Sequence, residues 1–318
     1  YRKGFKSLKS ERFRKLLSCV FDLEKKIKNQ YLDIEFVVDT DLKIYLLQVR
    51  NISTTSKWNI NNNLLERKIR IDRKILYKHF KKKNQILAQM SDWNPAEIIG
   101  KNPKKLSSSI YSKLVTDKSW AIAREKMGYN KIDEKKLMSL YSGKPYIDVR
   151  KSFSSFLPSK LNSKKKIPII NSWIEKLKKN PFLHDKIEFD IAVTAWDFEI
   201  KKKIDKSLPR TFSDKFKKNL QLLYKNIFID NINKESEASL ENITKKIETL
   251  KVLQKKIFIH KSRKINLKTI RLALKQCKFY GIIPFAQAAR HGFISKGLID
   301  SLISKKILTK RRSIELQK

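Results

Sequence analysis

Apolar and polar positions along this chain fall into two rhythms, and each points to a different element. Residues 31–50, YLDIEFVVDTDLKIYLLQVR, carry β-branched and aromatic residues at 34–38 and again at 44–49, with DTDL between them. Two such runs around a cluster of turn formers predict a β-hairpin. Upstream, residues 8–29 place Phe13, Leu16, Leu17, Val20, Phe21 and Leu23 near the 3.6-residue period of an amphipathic helix. Residues 51–63, NISTTSKWNINNN, are polar and aperiodic and mark a boundary. A basic helix is predicted over 64–80, with Leu65, Ile69, Leu76 and Phe80 on one face.

In SDWNPAEIIG, Asn94 takes the N-cap place of a helix, Pro95 its first position and Glu97 its third, and Gly100 closes it. A further helix is predicted over 107–127, a strand over 146–149, and a second strand over 186–200, where KIEFDIAVTAWDFEI alternates. Beyond Phe212 the pattern is helical almost to the end. Leu240, Ile243, Ile247, Leu250 and Ile257 share one helical face, and Phe285, Ala289, Ile294, Leu298, Leu302 and Ile303 share another. The fold class is therefore α+β and mainly helical, with a few strands.

Composition narrows this further. With 41% hydrophobic residues over 318, the chain can bury cores for about two domains. Only 7 Gly and 8 Pro speak for long helices over a loop-rich β architecture. Cys19 and Cys277 belong to no metal or disulfide spacing, which fits a reducing compartment. No apolar run reaches a spanning length and no signal peptide opens the chain, so it is read as soluble, cytoplasmic and without a membrane partner. Both ends, Tyr1 and RRSIELQK, read as ends of an internal fragment.

The charge balance is 73 Lys+Arg against 31 Asp+Glu, a net +42. Such an excess points to a polyanionic partner. Here it is mostly lysine, spread over the whole length and accompanied by Ile and Asn, as AT-rich coding produces. A dedicated nucleic-acid surface favours clustered arginine and stacking aromatics. No specific nucleic acid is expected.

Candidate chemistry lies in the hairpin. Gln48 and Arg50 share a face by alternation, and Glu35 joins them if it pairs opposite Gln48, with Phe36, Val38, Leu47 and Val49 underneath. A carboxylate, an amide and a guanidinium in one space suit a metal-bound polyphosphate: Mg²⁺ takes carboxylate and phosphate oxygens, and arginine neutralises a transferring phosphoryl group. On spacing alone the bland reading is stronger, a surface hairpin with a cross-strand Glu/Arg pair worth under about 1 kcal/mol.

The runs DIEF and IYLLQVR resemble the closing hairpin of the ATP-grasp domain in the phosphoenolpyruvate synthase and pyruvate phosphate dikinase family. The resemblance implies that Glu35 binds magnesium, that Gln48 and Arg50 contact metal and ATP phosphates, and that Arg50 acts in catalysis, open to an anion. Asn51 departs from the proline that usually follows the arginine. MSDWNPAEIIG, GKPYIDVRKSFSSFLP and PFAQAARHGFISKGLIDSLISKKIL resemble the helical segment that follows in one branch of that family. The resemblance implies three regions: 1–52 ending an ATP-grasp domain, 53–86 a linker and basic helix, and 87–318 a helix-rich middle domain. ATP and Mg²⁺ are then the cofactors, and pyruvate, phosphoenolpyruvate or another acceptor is reached through domains outside this chain.

Other candidates read as structural. His79, His184, His260 and His291 lack a phosphohistidine context, and His291 reads as a partly buried helix residue. Asp148 and Arg150 share a face of the strand predicted over 146–149 and read as an ion pair or a cap. Asp92, Trp93 and Glu97 read as helix-start and packing residues. Two functions remain open at this point: part of an ATP-dependent phosphotransferase, or a basic helical nucleic-acid-binding protein.

Overall fold

A computed structural model describes residues 10–29, 31–52, 62–80, 86–133, 136–204, 208–259 and 266–316. The chain is α+β and mainly helical, in two compact units, Tyr1–Leu65 and Glu66–Lys318. In the first unit, helix α1 (Glu11–Ile27) is followed by the antiparallel strands β1 (Leu32–Val38) and β2 (Ile44–Asn51). Asp39 shapes the turn: its Oδ1 accepts from the backbone N–H of Asp41 at 3.0 Å and of Lys43 at 2.8 Å. An aspartate that bonds its own backbone two residues on is the mechanism by which DTD makes a turn.

The register places Glu35 opposite Gln48, and a bulge then shifts it, so that Phe36 faces Leu46 and Leu47 is the extra residue. The expected apolar underside changes accordingly. Val38 and Val49 are half-buried, whereas Phe36 is exposed and Leu47 is 64% exposed. On α1, Leu16, Leu17, Val20, Phe21 and Leu23 are half-buried, but Phe13 is exposed.

The boundary between units falls in α2 (Asn62–Phe80), on which Leu65 and Ile69 are exposed and Leu76 half-buried; the Phe80 side chain lies outside the described residues. The second unit continues with β3 (Leu87–Ala88), α3 (Pro95–Ile98) and α4 (Lys105–Tyr111), then a π-helical turn, Ser112–Thr116, and α5 (Ser119–Lys126). The single helix predicted over 107–127 is thus broken in the middle. Strands β4 (Met138–Tyr141) and β5 (Lys144–Asp148) complete an antiparallel sheet in the order β3-β5-β4.

Val149, predicted in a strand, instead opens α6 (Val149–Ser155), because Asp148 caps that helix: its Oδ1 accepts from Lys151 N at 3.1 Å. Arg150 therefore lies on a helix, and its Nη1 donates to Asn171 Oδ1 at 2.9 Å. Helices α7 (Ser163–Lys179), α8 (Ile200–Lys203), α9 (Arg210–Asn233), α10 (Leu240–Ile259), α11 (Leu267–Gln276), α12 (Ile283–Ser304) and α13 (Lys310–Leu316) follow, with π-helical turns at Ile187–Ile191 and Cys277–Ile282.

The strand predicted over 186–200 does not form. Ile187 and Ile191 are both buried four residues apart on the π-helical turn, and 192–194 are buried without alternation. Burial of one helical face there overrides an intrinsic β pattern. The main core gathers Phe153, Phe156, Ile169, Trp173, Ile174, Phe216 and Leu220 from α6 and the residue that caps its C-terminus, α7 and α9. Each such side chain contributes roughly 1.5–3 kcal/mol by leaving water. A second core, around Trp120 and Ile147, holds α5 against β5.

Candidate functional site

The hairpin brings Glu35, Gln48 and Arg50 together. Arg50 Nη2 donates to Glu35 Oε1 at 2.9 Å and to Gln48 Oε1 at 2.8 Å. Asp33 pairs across from Arg50 and shares the face of Glu35 two residues on. Arg50 was expected to stand open to an anion. It lies instead in a pair with Glu35, because the cross-strand register sets the two side chains within reach. The pair is solvent-exposed, with Arg50 46% and Glu35 54% accessible, so it is worth under about 1 kcal/mol. Hard oxygens from Glu35, Gln48 and Asp33 suit Mg²⁺ as part of a shell completed by phosphate and water. Among the described residues, no group of three or more His, Cys, Asp or Glu could hold a metal unaided.

A second constellation lies within Glu66–Lys318. Asp92 in the segment before α3, Arg124 on α5, Glu188 on a π-helical turn and Arg290 on α12 form a buried network at the floor of a cleft of about 440 Å³. Arg124 grips Asp92 with both terminal nitrogens, Nη1 to Oδ2 at 2.9 Å and Nη2 to Oδ1 at 2.7 Å, and Nη1 also donates to Ser155 Oγ at 2.7 Å. Ser152 Oγ donates to Asp92 Oδ2 at 2.6 Å. Arg290 donates to Glu188 Oε2 at 2.6 Å and to Tyr129 Oη at 3.0 Å. Arg124 approaches the other Glu188 oxygen at only 3.5 Å. Both guanidiniums lie over the Phe156 ring, at 3.9 and 5.4 Å from its centroid.

Burial pushes the Glu188 carboxyl above the ordinary carboxylate range, although Arg290 and Arg124 draw it down. Burial works against the Arg124 cation, and the charge and hydrogen bonds of Asp92, together with the charges of Glu188 and Tyr129, outweigh it, so its pKa is raised. These directions fit two carboxylates and two guanidiniums that hold one another in a dry floor.

The wall next to this floor is backbone held in an uncommon conformation. Asp92, Trp93 and Asn94 have φ of 46°, 64° and 32°, three successive non-glycine residues in the left-handed region. Each such residue costs on the order of 1 kcal/mol and persists only when its surroundings over-determine it. The surroundings are visible: Tyr111 Oη donates to Trp93 O, Ser91 Oγ to His184 O, and Asp92 is gripped by Arg124. Burial, with the charge of Asp92 second, pushes the Tyr111 phenol up. Asn94 does occupy the N-cap position of α3, but its left-handed backbone gives no side-chain cap. Its amide donates to Glu97 Oε2 at 3.2 Å instead.

Asp92 and Trp93 are thus site residues as well as helix-start residues. Phe285 and Ala289, expected in a core stripe, line the cleft, while Ile294 of that stripe is buried. His291, next to Arg290, is buried, and its Nε2 donates to Ala238 O at 2.8 Å, as a structural residue does. The side chain of His79 and the whole of His260 lie outside the described residues.

Sequence reasoning missed Arg124, Glu188 and Arg290 as a set. A signal was nevertheless present. In a chain with 58 lysines, residues 84–100 and 279–295 hold none over 17 positions each, and 187–200 hold none over 14. These three segments supply most of the cleft lining. Residues 29–42, also lysine-free, supply one strand of the hairpin.

Comparison of the chain with protein-family models, with curated proteins and with solved structures finds no match.

Proposed function

We propose that this chain contributes the metal- and phosphate-binding hairpin of an ATP-dependent phosphotransferase that resembles phosphoenolpyruvate synthase and pyruvate phosphate dikinase. One observation carries the reading: Glu35 and Gln48 oppose each other in register, and Arg50 reaches both oxygens from the same face. Mg²⁺, when bound, supplies charge neutralisation and in-line alignment of the ATP phosphates. Glu35 and Gln48 offer it oxygens, and Arg50 offers planar forked donors to a phosphoryl group. Tyr45, Leu46 and Leu47 are exposed on β2, an apolar surface that further protein of a nucleotide-binding domain would bury.

The test is steady-state kinetics of the native gene product at varied Mg²⁺. Arg50→Lys is expected to be nearly as damaging as Arg50→Ala, because an ammonium does not reproduce the fork. Both changes are expected to slow turnover by roughly 100-fold or more, the usual loss when a preorganised donor is removed. Glu35→Gln shifts the Mg²⁺ dependence to higher concentration. Near-wild-type rates in both Arg50 variants would refute the assignment.

A further inference from the structure

The cleft of the second unit is a binding site in its own right, and its chemistry selects one class of ligand. Its volume, about 440 Å³, is in the range of small-molecule pockets. Its walls are aromatic and open. Trp93 and Phe285 lie 6.4 Å apart with their planes tilted by 50°, and Phe189 and Phe293 pack edge-to-face at 5.1 Å. Phe285 is 59% and Phe189 52% exposed, so flat apolar surface is displayed and not packed away. Phe285, Ala289 and Phe293 recur every four residues on α12 and form one continuous wall opposite α3 and the Ile187–Ile191 turn.

Charge decides what such walls accept. The lining contains four carboxylates, Asp92, Glu97, Asp185 and Glu188, against two guanidiniums, Arg124 and Arg290, and no lysine. The local balance is therefore 2 − 4 = −2 in a chain whose net charge is +42. Both arginines are already engaged by Asp92 and Glu188, so an incoming anion finds no cation it can take without breaking a buried pair. An incoming cation meets the same closed pairs at the floor, but at the rim it finds the exposed carboxylates Glu97 and Asp185, which carry the excess negative charge. Aromatic faces add to this, since their quadrupole attracts a cation and their area stacks a flat body.

We propose that the cleft binds a small organic cation with a flat apolar body, the body against the aromatic walls and the cationic centre toward the rim carboxylates Glu97 and Asp185. The site rests on the second unit alone and does not depend on the hairpin reading. It predicts discrimination opposite to the attraction of the whole molecule: a protein that draws anions over its surface carries a cleft that prefers cations.

The experiment uses the 318-residue protein and three phenyl probes of similar size: phenethylamine (cationic), 2-phenylethanol (neutral) and 3-phenylpropionate (anionic). Binding is followed by ligand-observed saturation-transfer NMR at physiological salt, where surface attraction is screened. Phenethylamine is expected to bind about tenfold more tightly than either of the others, the range a desolvated cation–π and carboxylate contact provides. Phe285→Ala weakens all three probes, whereas Glu97→Gln combined with Asp185→Asn, both at exposed rim positions, removes the advantage of the amine and spares the alcohol. Saturable binding of phenylpropionate as tight as that of phenethylamine, amine binding indifferent to Phe285→Ala, or no saturable binding of any probe at millimolar concentration would each overturn the proposal.

Discussion

Replacing Arg124 with methionine keeps a long side chain over Phe156 but removes every donor that Asp92 receives from α5. In the native protein the Asp92 carboxylate, with 2% of its side chain accessible, receives Arg124 Nη1 at 2.9 Å, Nη2 at 2.7 Å and Ser152 Oγ at 2.6 Å. After the change only the serine remains, and a buried carboxylate is left without its countercharge. Breaking one partner of a buried pair costs about 3–5 kcal/mol, against under about 1 kcal/mol for an exposed pair. The larger figure is a substantial part of the roughly 5–15 kcal/mol that holds a domain folded.

Urea unfolding followed by tryptophan fluorescence is a suitable assay, because Trp93, Trp120, Trp173 and Trp196 all lie in the second unit. Arg124→Met is expected to lower the unfolding midpoint by the amount that about 3–5 kcal/mol implies, about 1–5 M urea at ordinary slopes. Asp92→Asn combined with Arg124→Met is expected to recover at least about 2 kcal/mol, since it removes the stranded charge. A single-variant loss under about 1 kcal/mol, or a double variant no more stable than the single, would refute the reasoning that the floor is dry and mutually compensated.

Three further outcomes follow from other residues. Burial lowers the His291 pKa, opposed by its bond to Ala238 O and reinforced by Arg290, so the folded state favours the neutral ring. A depressed value means stability that is present above the unfolded value, about 6.5, and lost as pH falls below it. The urea midpoint should therefore drop on acidification from about pH 7 to about pH 5, and His291→Gln should flatten that segment of the curve. Gln287 is fully buried and neither amide atom has a partner among the described residues, so Gln287→Met should raise the thermal midpoint by the equivalent of roughly 1–2 kcal/mol, and a lower midpoint would show that the amide is satisfied. Binding to a random-sequence DNA duplex should be weak and fall steeply with salt, as scattered lysines give through counterion release; tight, sequence-selective binding that survives about 0.2 M salt would contradict this.

The elements whose signal is local were legible in the sequence. The hairpin was readable because period-two alternation and an aspartate turn lie within twenty residues, but the register at the turn, Val38 opposite Ile44, would set Glu35 against Leu47, and only the bulge brings it opposite Gln48. The bulge at Leu47 was not readable, because one extra residue leaves no compositional mark. Helices α10 and α12 were readable from long apolar stripes, but the stripe on α12 could not say which of its residues meet a core and which a cleft. Phe285 and Ile294 look alike in sequence and differ only in what faces them. The segment 187–200 misled because a buried turn needs apolar residues four apart, which short alternation also supplies. The floor was out of reach of pattern reading: Arg124 lies 32 residues from Asp92 and 64 from Glu188, and Glu188 lies 102 from Arg290. Ion pairs over such separations exist only once the chain is folded.

The floor of the cleft also limits how this protein can change over time. Asp92, Arg124, Glu188 and Arg290 balance as two negative and two positive groups around one phenylalanine ring, and no single substitution that alters a charge keeps the balance. Replacement is open only to pairs of opposite sign altered together, or to arginine-to-lysine exchanges that give up the two-pronged grip on Asp92. A lineage drifting toward lysine elsewhere would meet a barrier here, and the four residues would be inherited as a block.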